Sequence, residues 1–586
     1  MEAFMAKENS WDILNPYRGD FFQGEWPTIP ESFALSAHLY PKQVAFTQFS
    51  PDEIHITYEE AKVQTARIAS WLISNGLKKG DRVVLTGKNS PWWALAYLGT
   101  MEAGGVIVPL DVQMEIETAE KLISFVEARF LFADGDKHDV LGNKGSGVQH
   151  KVSLSQGMGT FITDLPQTQA QKNWDLGEDD LAAILFTSGT TGNEKGVMLT
   201  HKNFITDVWQ ACHPDFLVAE QKDVWYALLP LHHSYCMTAV FLEGICHGCE
   251  VVFAGGLSVG QMMKDLEKGK VTMMMGIPLL FNKILKGMMK QVRSKGLVAH
   301  VLVGVLMRFS GFVKTVFKVN IGKKLFGNLL LKKANLYNLK YLISGGGPLA
   351  PETFLRYQEL GLDFVQGYGM TETAPISTLN PAHAFKTKSV GKVFPLLEMK
   401  IANPDEEGIG EVCIKGPTCC QGYWKNPEAT EELFDDEGWL RTGDLGYLDK
   451  DNYLYLTGRS KNLIVTEGGK NVFPEEVEDH FQLFHQIEQI MIRGYVANQA
   501  TRAEGIEAVI FPSKDHFDSL GIYETEMIHH DIIHSVKSVN KELLAYKRIN
   551  RIRFSADALP MTSTRKIKRQ VVEKNLANDS QETVEV

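Results

Sequence analysis

A chain of 586 residues exceeds the size at which a single hydrophobic core stops growing, so a large domain and at least one smaller one are expected. Apolar residues at 44% and charged residues at 22% are those of an ordinary globular protein, while a net charge of −11 weighs against a nucleic-acid binder, which needs a basic surface. Seven scattered cysteines exclude a disulfide framework and fit a reducing, cytoplasmic setting.

The N-terminal stretch MEAFMAKENSWDILNPYRGD has no basic segment followed by an apolar one, so no signal peptide is expected. Residues Tyr58 to Gly76 carry apolar side chains at helical spacing and stop at a glycine, as a helix C-cap does. Asp81 to Leu85 then reads as a buried strand, Trp92 to Ala103 as a helix and Gly104 to Leu110 as a second strand. This alternation predicts βαβ units and mainly parallel sheets.

Leu181 to Phe186 is an apolar run of strand length, followed by Thr187, Ser188, Gly189, Thr190, Thr191, Gly192, Asn193, Glu194, Lys195 and Gly196, then by a second apolar stretch from Val197. Hydroxyls, glycines that permit close backbone approach and one terminal lysine are what a loop wrapping polyphosphate oxygens requires. The lysine follows Gly192 by three residues and precedes glycine, so this is not a Walker A loop. A flexible linker has a similar composition; the flanking strands and Lys195 favour the phosphate reading.

Further on, the interval from Lys268 to Pro351 contains 15 Lys and Arg and not one Asp or Glu. Apolar residues such as Phe281, Met288, Phe309, Phe312 and Phe317 are interleaved with the cations. No run reaches the ~20 apolar residues of a membrane-spanning helix. The longest, Leu297 to Met307, contains His300 and reads as a core or an interfacial helix. Peripheral contact with an anionic membrane, a hydrophobic entrance for a water-insoluble acid and a partly buried insert with solvated lysines all fit segment 268–351. Asn403 to Gly422 reads as a β-rich region, Thr457 to Lys461 as a strand ending in a polar junction, and Pro474 to Gln486 as a helix. A compact α/β pattern runs to about Gln570, and the polar end from Asn575 to Val586 is expected to fray.

The loop TSGTTGNEKGVMLTH, with Gly80-Asp81-Arg82-Val83 after the Tyr58 helix, resembles the signature sequences of the adenylate-forming superfamily: acyl-CoA synthetases, carrier-protein loading domains and luciferases. Gly367-Tyr368-Gly369-Met370-Thr371-Glu372-Thr373, Gly438 to Asp444, Gly458 to Lys461 and Leu559 to Arg569 match the same family in order, so the resemblance spans roughly residues 20 to 570. It implies an α/β fold, with a large N-terminal domain (1–459) of two βα-layered subdomains and a β-rich one, and a small mobile α+β domain (460–586). It further implies that Thr187 to Gly192 and Lys195 hold the phosphates of ATP. Tyr368 and Gly369 would lie at adenine, Thr371 at the α-phosphate and Glu372 at Mg²⁺. Gly345, Gly346 and Gly347 would form a turn that leaves room for adenine and substrate. Asp444 would accept both ribose hydroxyls, and Arg459 would add a ribose or phosphate contact.

Lys566 matches the family's catalytic lysine, although Arg565 stands where many members carry glycine. Lys461 matches the hinge, and Gly468 to Asn471 a segment that would approach nucleotide and thiol after the small domain swings. Pro230 to Tyr235 resembles the lining of the acyl pocket, with His233 at its usual aromatic position. The His232-His233 pair, Cys246-His247-Gly248-Cys249 and Cys419-Cys420 lack a partner cluster at metal-ligand spacing and are read as packing. The best match within the family is a long-chain fatty acid–CoA ligase using ATP, Mg²⁺ and coenzyme A. Delivery to a carrier-protein phosphopantetheine, a silent adenylate-binding protein at membranes and a luciferase-type oxygenase are the alternatives.

Overall fold

The computed structural model describes residues 9–142, 145–187, 194–256, 258–466, 470–498, 503–562, 566–577 and 583–586. The predicted α/β architecture is what these residues form. Thr57 caps the helix Tyr58–Ser74, accepting from the Glu60 amide while the Glu60 carboxylate reaches back, and the chain leaves through Gly76 at φ +85°. The strand Arg82–Thr86 follows, parallel to both Val106–Leu110 and Phe130–Ala133. Leu181–Thr187 continues this six-stranded sheet, and Lys195–Thr200 closes it antiparallel, with Thr187 opposite Lys195. The candidate phosphate loop is therefore the connection of a hairpin at the sheet's edge.

A second sheet has thirteen strands. Its parallel half includes Met273–Gly276, Tyr341–Ser344 and Asp363–Gly369, side by side. Asp363–Gly369 has two partners: its first half runs parallel to Tyr341–Ser344, and its second half antiparallel to Ile376–Leu379. The β-rich region around Gly410–Lys415 and Leu440–Leu448 is thus continuous with the second βα layer. Tyr368 and Gly369 sit at the seam.

The C-terminal region carries its own four-stranded sheet, with Ile487–Asn498, Ala503–Pro512, Arg551–Phe554 and Thr583–Glu585 in that order. Two expectations are corrected here. The helix predicted from Pro474 to Gln486 stops at Asp479, after which the chain turns. The last residues were expected to fray, yet Thr583–Glu585 pairs antiparallel with Arg551–Arg553, and the Val586 amide donates to the Asn550 carbonyl.

The largest departure concerns the basic interval. Leu297–Phe317 is one helix of 21 residues, long and apolar enough to cross a membrane by length and composition, and it is not a core helix. Only Met307 and Ser310 are buried along it, while Val298 is 82% and Phe309 55% exposed. The sequence reading ends this run at Met307, before Arg308, whereas the helix continues through Arg308 and Lys314 to Phe317.

Candidate active site

The site forms where the seam of the second sheet, the hairpin edge of the first and the C-terminal tail converge. Tyr368, near the end of its strand, donates its hydroxyl to Asp444 Oδ2 at 2.6 Å. Arg459, opposite Asp444 on the neighbouring strand, approaches Oδ1 at 2.8 Å. Thr442 Oγ1 accepts from the Asp444 amide at 3.1 Å. Burial and the Asp444 carboxylate push the Tyr368 phenol well above its ordinary pKa. The carboxylate predicted to hold ribose hydroxyls is therefore oriented from both sides, each oxygen retaining a lone pair for a sugar hydroxyl.

Beyond Tyr368 the backbone is tightly confined. A Cβ on Gly369 would fall within 1.8 Å of the Pro375 carbonyl oxygen, so only glycine fits there. Thr371 and Glu372 follow in a short 3₁₀ turn. Thr371 Oγ1 lies 3.2 Å from Ser234 Oγ, at the start of the helical stretch that follows His233. Glu372 is buried, and its Oε1 accepts from the Tyr423 hydroxyl at 2.8 Å. The other element at this phenol is Lys195, whose Nζ lies 4.8 Å from the centroid of the Tyr423 ring. Sequence reasoning missed Tyr423. It is brought in because Gln421 to Trp424 pairs with Gly196 to Met198 through amides donating to the Gly422, Met198 and Gly196 carbonyls. A single buried carboxylate with an anchored oxygen suits Mg²⁺, which keeps most of its shell for water and phosphate oxygens.

Ser188, Gly189, Thr190, Thr191 and Gly192 lie outside the described residues, as do Gly468 and Gly469. Of the predicted phosphate loop, Thr187, Glu194 and Lys195 are described. Burial raises the Glu194 pKa, and the positive charge of Lys568 acts against the rise.

The glycine turn lies against the acyl side. A Cβ on Gly345 would come within 2.7 Å of Tyr235 Oη, and Gly346 adopts φ +77°. Gly347 faces Pro278, the first residue of the helix Pro278–Arg293. His233 packs on His232 with ring centroids 4.2 Å apart, and His232 Nε2 is 3.5 Å from Asp111 Oδ2. Burial above all, then the neighbouring His232, lowers the His233 pKa to about 3, so its imidazole is neutral at physiological pH. The segment before it is pinned by Asn89, whose side chain donates to the Ala227 and Leu229 carbonyls and accepts from the Leu231 amide. The stretch Met237–Leu242 behind it is a fully buried π-helix.

Lys566 reaches this site from the tail. Its carbonyl accepts from the Thr562 amide at 2.8 Å, and its amide donates to Thr562 Oγ1 at 3.1 Å. The residue as a whole keeps exposed surface, while its ammonium is crowded by protein groups. Loss of hydration and the positive Arg459 lower the Lys566 pKa, while Asp444 opposes the shift. The positive charge of Lys566 is also the least of the influences on the His233 imidazole. Lys461 occupies a 3₁₀ turn, Ser460–Asn462, directly after the strand that ends at Arg459. Cys212, Glu243 and His247 gather within 4.8 Å. His247 Nδ1 donates to its own-turn carbonyl of Glu243 at 3.0 Å, and burial favours the neutral form of all three groups. That cluster is a hydrogen-bonded core.

An α/β body whose sheet seam gathers Tyr368, Asp444 and Arg459 is suited to an adenine nucleotide. The chain belongs to the AMP-binding enzyme family, which residues 33–424 match. It is similar to a feruloyl-CoA synthase of Amycolatopsis sp, 29% identical over 75% of this chain and 80% of that protein. It is similar also to the long-chain-fatty-acid–CoA ligase FadD15 of Mycobacterium bovis, 28% identical over 94% of this chain and 98% of that one. Among solved structures, the anthranilate CoA ligase AuaEII in complex with anthranoyl-AMP shares the fold with a TM-score of 0.76 at 20% identity, covering 95% of this chain and 98% of that one.

Proposed function

We propose that the chain is an AMP-forming acid–thiol ligase that joins a long-chain fatty acid to coenzyme A. The carrying observation is the Asp444 carboxylate held by Tyr368 at 2.6 Å and Arg459 at 2.8 Å, with Glu372 and Lys195 gathered on Tyr423; Lys566 is the cation assigned to the attacking carboxylate. In the first step a carboxylate oxygen attacks the α-phosphorus of ATP, and the bond to pyrophosphate breaks. Two anions must approach one another, and a positioned ammonium lowers that barrier electrostatically. Lys195 neutralises the departing phosphates, Thr371 donates to an α-phosphate oxygen, and Tyr368 with Asp444 and Arg459 fixes the nucleoside. Glu372, held by Tyr423, is the ligand for Mg²⁺, which when bound offsets the negative charge of the triphosphate.

In the second step the thiolate of coenzyme A attacks the acyl carbon, AMP leaves, and the thiol proton passes to solvent. The domains 1–459 and 460–586 turn about Lys461 between the steps. Lys566→Ala is expected to abolish adenylation while sparing thiolation of supplied acyl-AMP, and Lys461→Pro to do the reverse. Loss of both half-reactions in both variants would count against the two-orientation account. A cytoplasmic location belongs to the same proposal and is supported by seven unpaired thiols.

The long-chain assignment rests on the similarity to FadD15 and on the apolar, buried stretch from Ser234 to Cys246 behind His233. The deciding assay is acid-dependent AMP release across fatty acids of increasing length and across hydroxycinnamates, with and without coenzyme A. Turnover of long fatty acids that requires coenzyme A is expected. Turnover of hydroxycinnamates alone would replace the acid, and release indifferent to coenzyme A would replace the acceptor. Absence of labelled pyrophosphate exchange into ATP with every acid would end the reading.

A further inference from the structure

A helix packed on a water-soluble body turns its apolar stripe inward. Leu297–Phe317 does the opposite. Its outward stripe runs through Leu297, Val301, Val305, Phe309, Phe312 and Val316, each between 55% and 71% exposed, at the three- and four-residue spacing of one helical face. Its inward side carries the polar contacts. Lys314 Nζ bonds Asp363 Oδ1 at 2.7 Å and Gln358 Oε1 at 2.5 Å, and Ser310 is buried. Gly311 allows close approach to Glu359, whose Cγ would lie 2.8 Å from an added Cβ.

We propose that this helix docks lengthwise on an anionic lipid bilayer, with its stripe among the acyl chains near the headgroups. The occupant is identified by charge. Arg293, Lys295, Arg308, Lys318 and Lys324 are exposed around the stripe, in an interval with no acidic residue from Lys268 to Pro351, although the whole chain carries −11. Exposed lysine and arginine beside apolar side chains match phosphate headgroups above a hydrocarbon layer. A second copy of this chain fits poorly, because a two-fold pairing of the stripe would bring two cationic rims together. Although long enough to cross a bilayer, the helix is tied along its inner side to the body through Lys314, so it lies in the plane of the surface.

Docking also connects with the proposed substrate. The helix Pro278–Arg293 begins against Gly347 of the glycine turn and precedes the docking helix by only a few residues. A bilayer-dissolved acid would thus be met one helix away from the acyl-side residues. The docking itself does not depend on which acid is activated.

The test is flotation of the full-length protein with vesicles of phosphatidylcholine alone or mixed with phosphatidylserine, without substrate. Wild type is expected to float with the anionic vesicles and to be partly released by salt. Val305→Glu with Phe309→Glu should lower that binding at least tenfold, leaving the thermal transition and the activity on a short soluble acid unchanged. Lys295→Gln with Lys318→Gln should remove only the preference for anionic lipid. Wild type that stays out of both vesicle types, a glutamate variant that floats as wild type does, or a solution dimer that the glutamates dissociate would each overturn the proposal. Because binding is read without catalysis, failure here is distinguishable from failure of the ligase reading.

Discussion

Tyr423 is the residue through which two predicted functions meet. Its hydroxyl anchors the Glu372 carboxylate and its ring lies 4.8 Å from the Lys195 ammonium, so one phenol contacts both the proposed metal ligand and the proposed phosphate cation. Tyr423→Phe keeps the ring and removes the anchor. The expected outcome is a roughly tenfold higher Mg²⁺ requirement for pyrophosphate exchange, equivalent to the ~1.4 kcal/mol of one hydrogen bond to a charged group. An unchanged Mg²⁺ titration with a lower maximal rate would assign the phenol to Lys195 instead. Lys566 makes a pH prediction. Its pKa lies below the usual 10.5, and the proposed mechanism uses the ammonium, so that form is lost as pH rises through the lowered value. The adenylation kcat/KM is therefore expected to fall on an alkaline limb beginning below 10.5, and Lys566→Arg to shift that limb to higher pH because guanidinium does not deprotonate in this range. Thiolation of supplied acyl-AMP should lack that limb. His233, already neutral, contributes no limb between pH 5 and 8, a range in which an ordinary histidine would titrate.

At the scale of elements, the small domain's sheet is organised around a buried carboxylate. Glu507, on Ala503–Pro512, is fully buried and receives Arg493 at 2.7 Å and Arg551 at 2.8 Å from the strands on either side, with Arg553 at 3.4 Å. Removing the anion leaves guanidiniums crowded and uncompensated. Glu507→Gln is expected to destabilise this domain by about 3 kcal/mol, read as an earlier urea transition. Adenylation should fail with it, since Met491 and Val509 of the same sheet pack on Leu559, which leads to Lys566. Much of the layering was legible beforehand. Strands such as Val83-Val84-Leu85, covered on both faces, read as continuous apolar runs between helical patterns. The motif residues Tyr368, Asp444 and Arg459 were legible because each follows a glycine in a stretch that resembles the family's motifs, although Asp444 stands in the middle of Leu440–Leu448 and not at a strand end. What was not legible depended on distant pairing. The seam at Asp363–Gly369 exists only because Ile376–Leu379 folds back on it, and Tyr423 meets Glu372 across 51 positions. Nor can periodicity say which side of a helical stripe faces the body, which is why Leu297–Phe317 turned out exposed rather than buried.

At the scale of the whole molecule, the proposed mechanism requires the tail lysine to reach the site only while the small domain rests on the large one, and a specific polar contact joins the two. Gln482 accepts from the Ala350 amide at 2.8 Å and donates to the Pro348 carbonyl at 3.2 Å, gripping the backbone directly after the glycine turn. Asp479 Oδ1 accepts from Gln482 Nε2 at 2.7 Å, fixing the side chain from within its own domain. A contact made in one orientation and absent from another biases the equilibrium by its differential free energy and no more. Two neutral hydrogen bonds are worth about 1 kcal/mol each, so Gln482→Ala should shift the population away from the Lys566-delivering orientation by roughly tenfold or somewhat more. The expected result is a matching fall in single-turnover adenylation, with thiolation of supplied acyl-AMP maintained or accelerated and the denaturation midpoint nearly unchanged. Equal losses in both half-reactions would show that Gln482 supports the fold of its own domain rather than the choice between orientations.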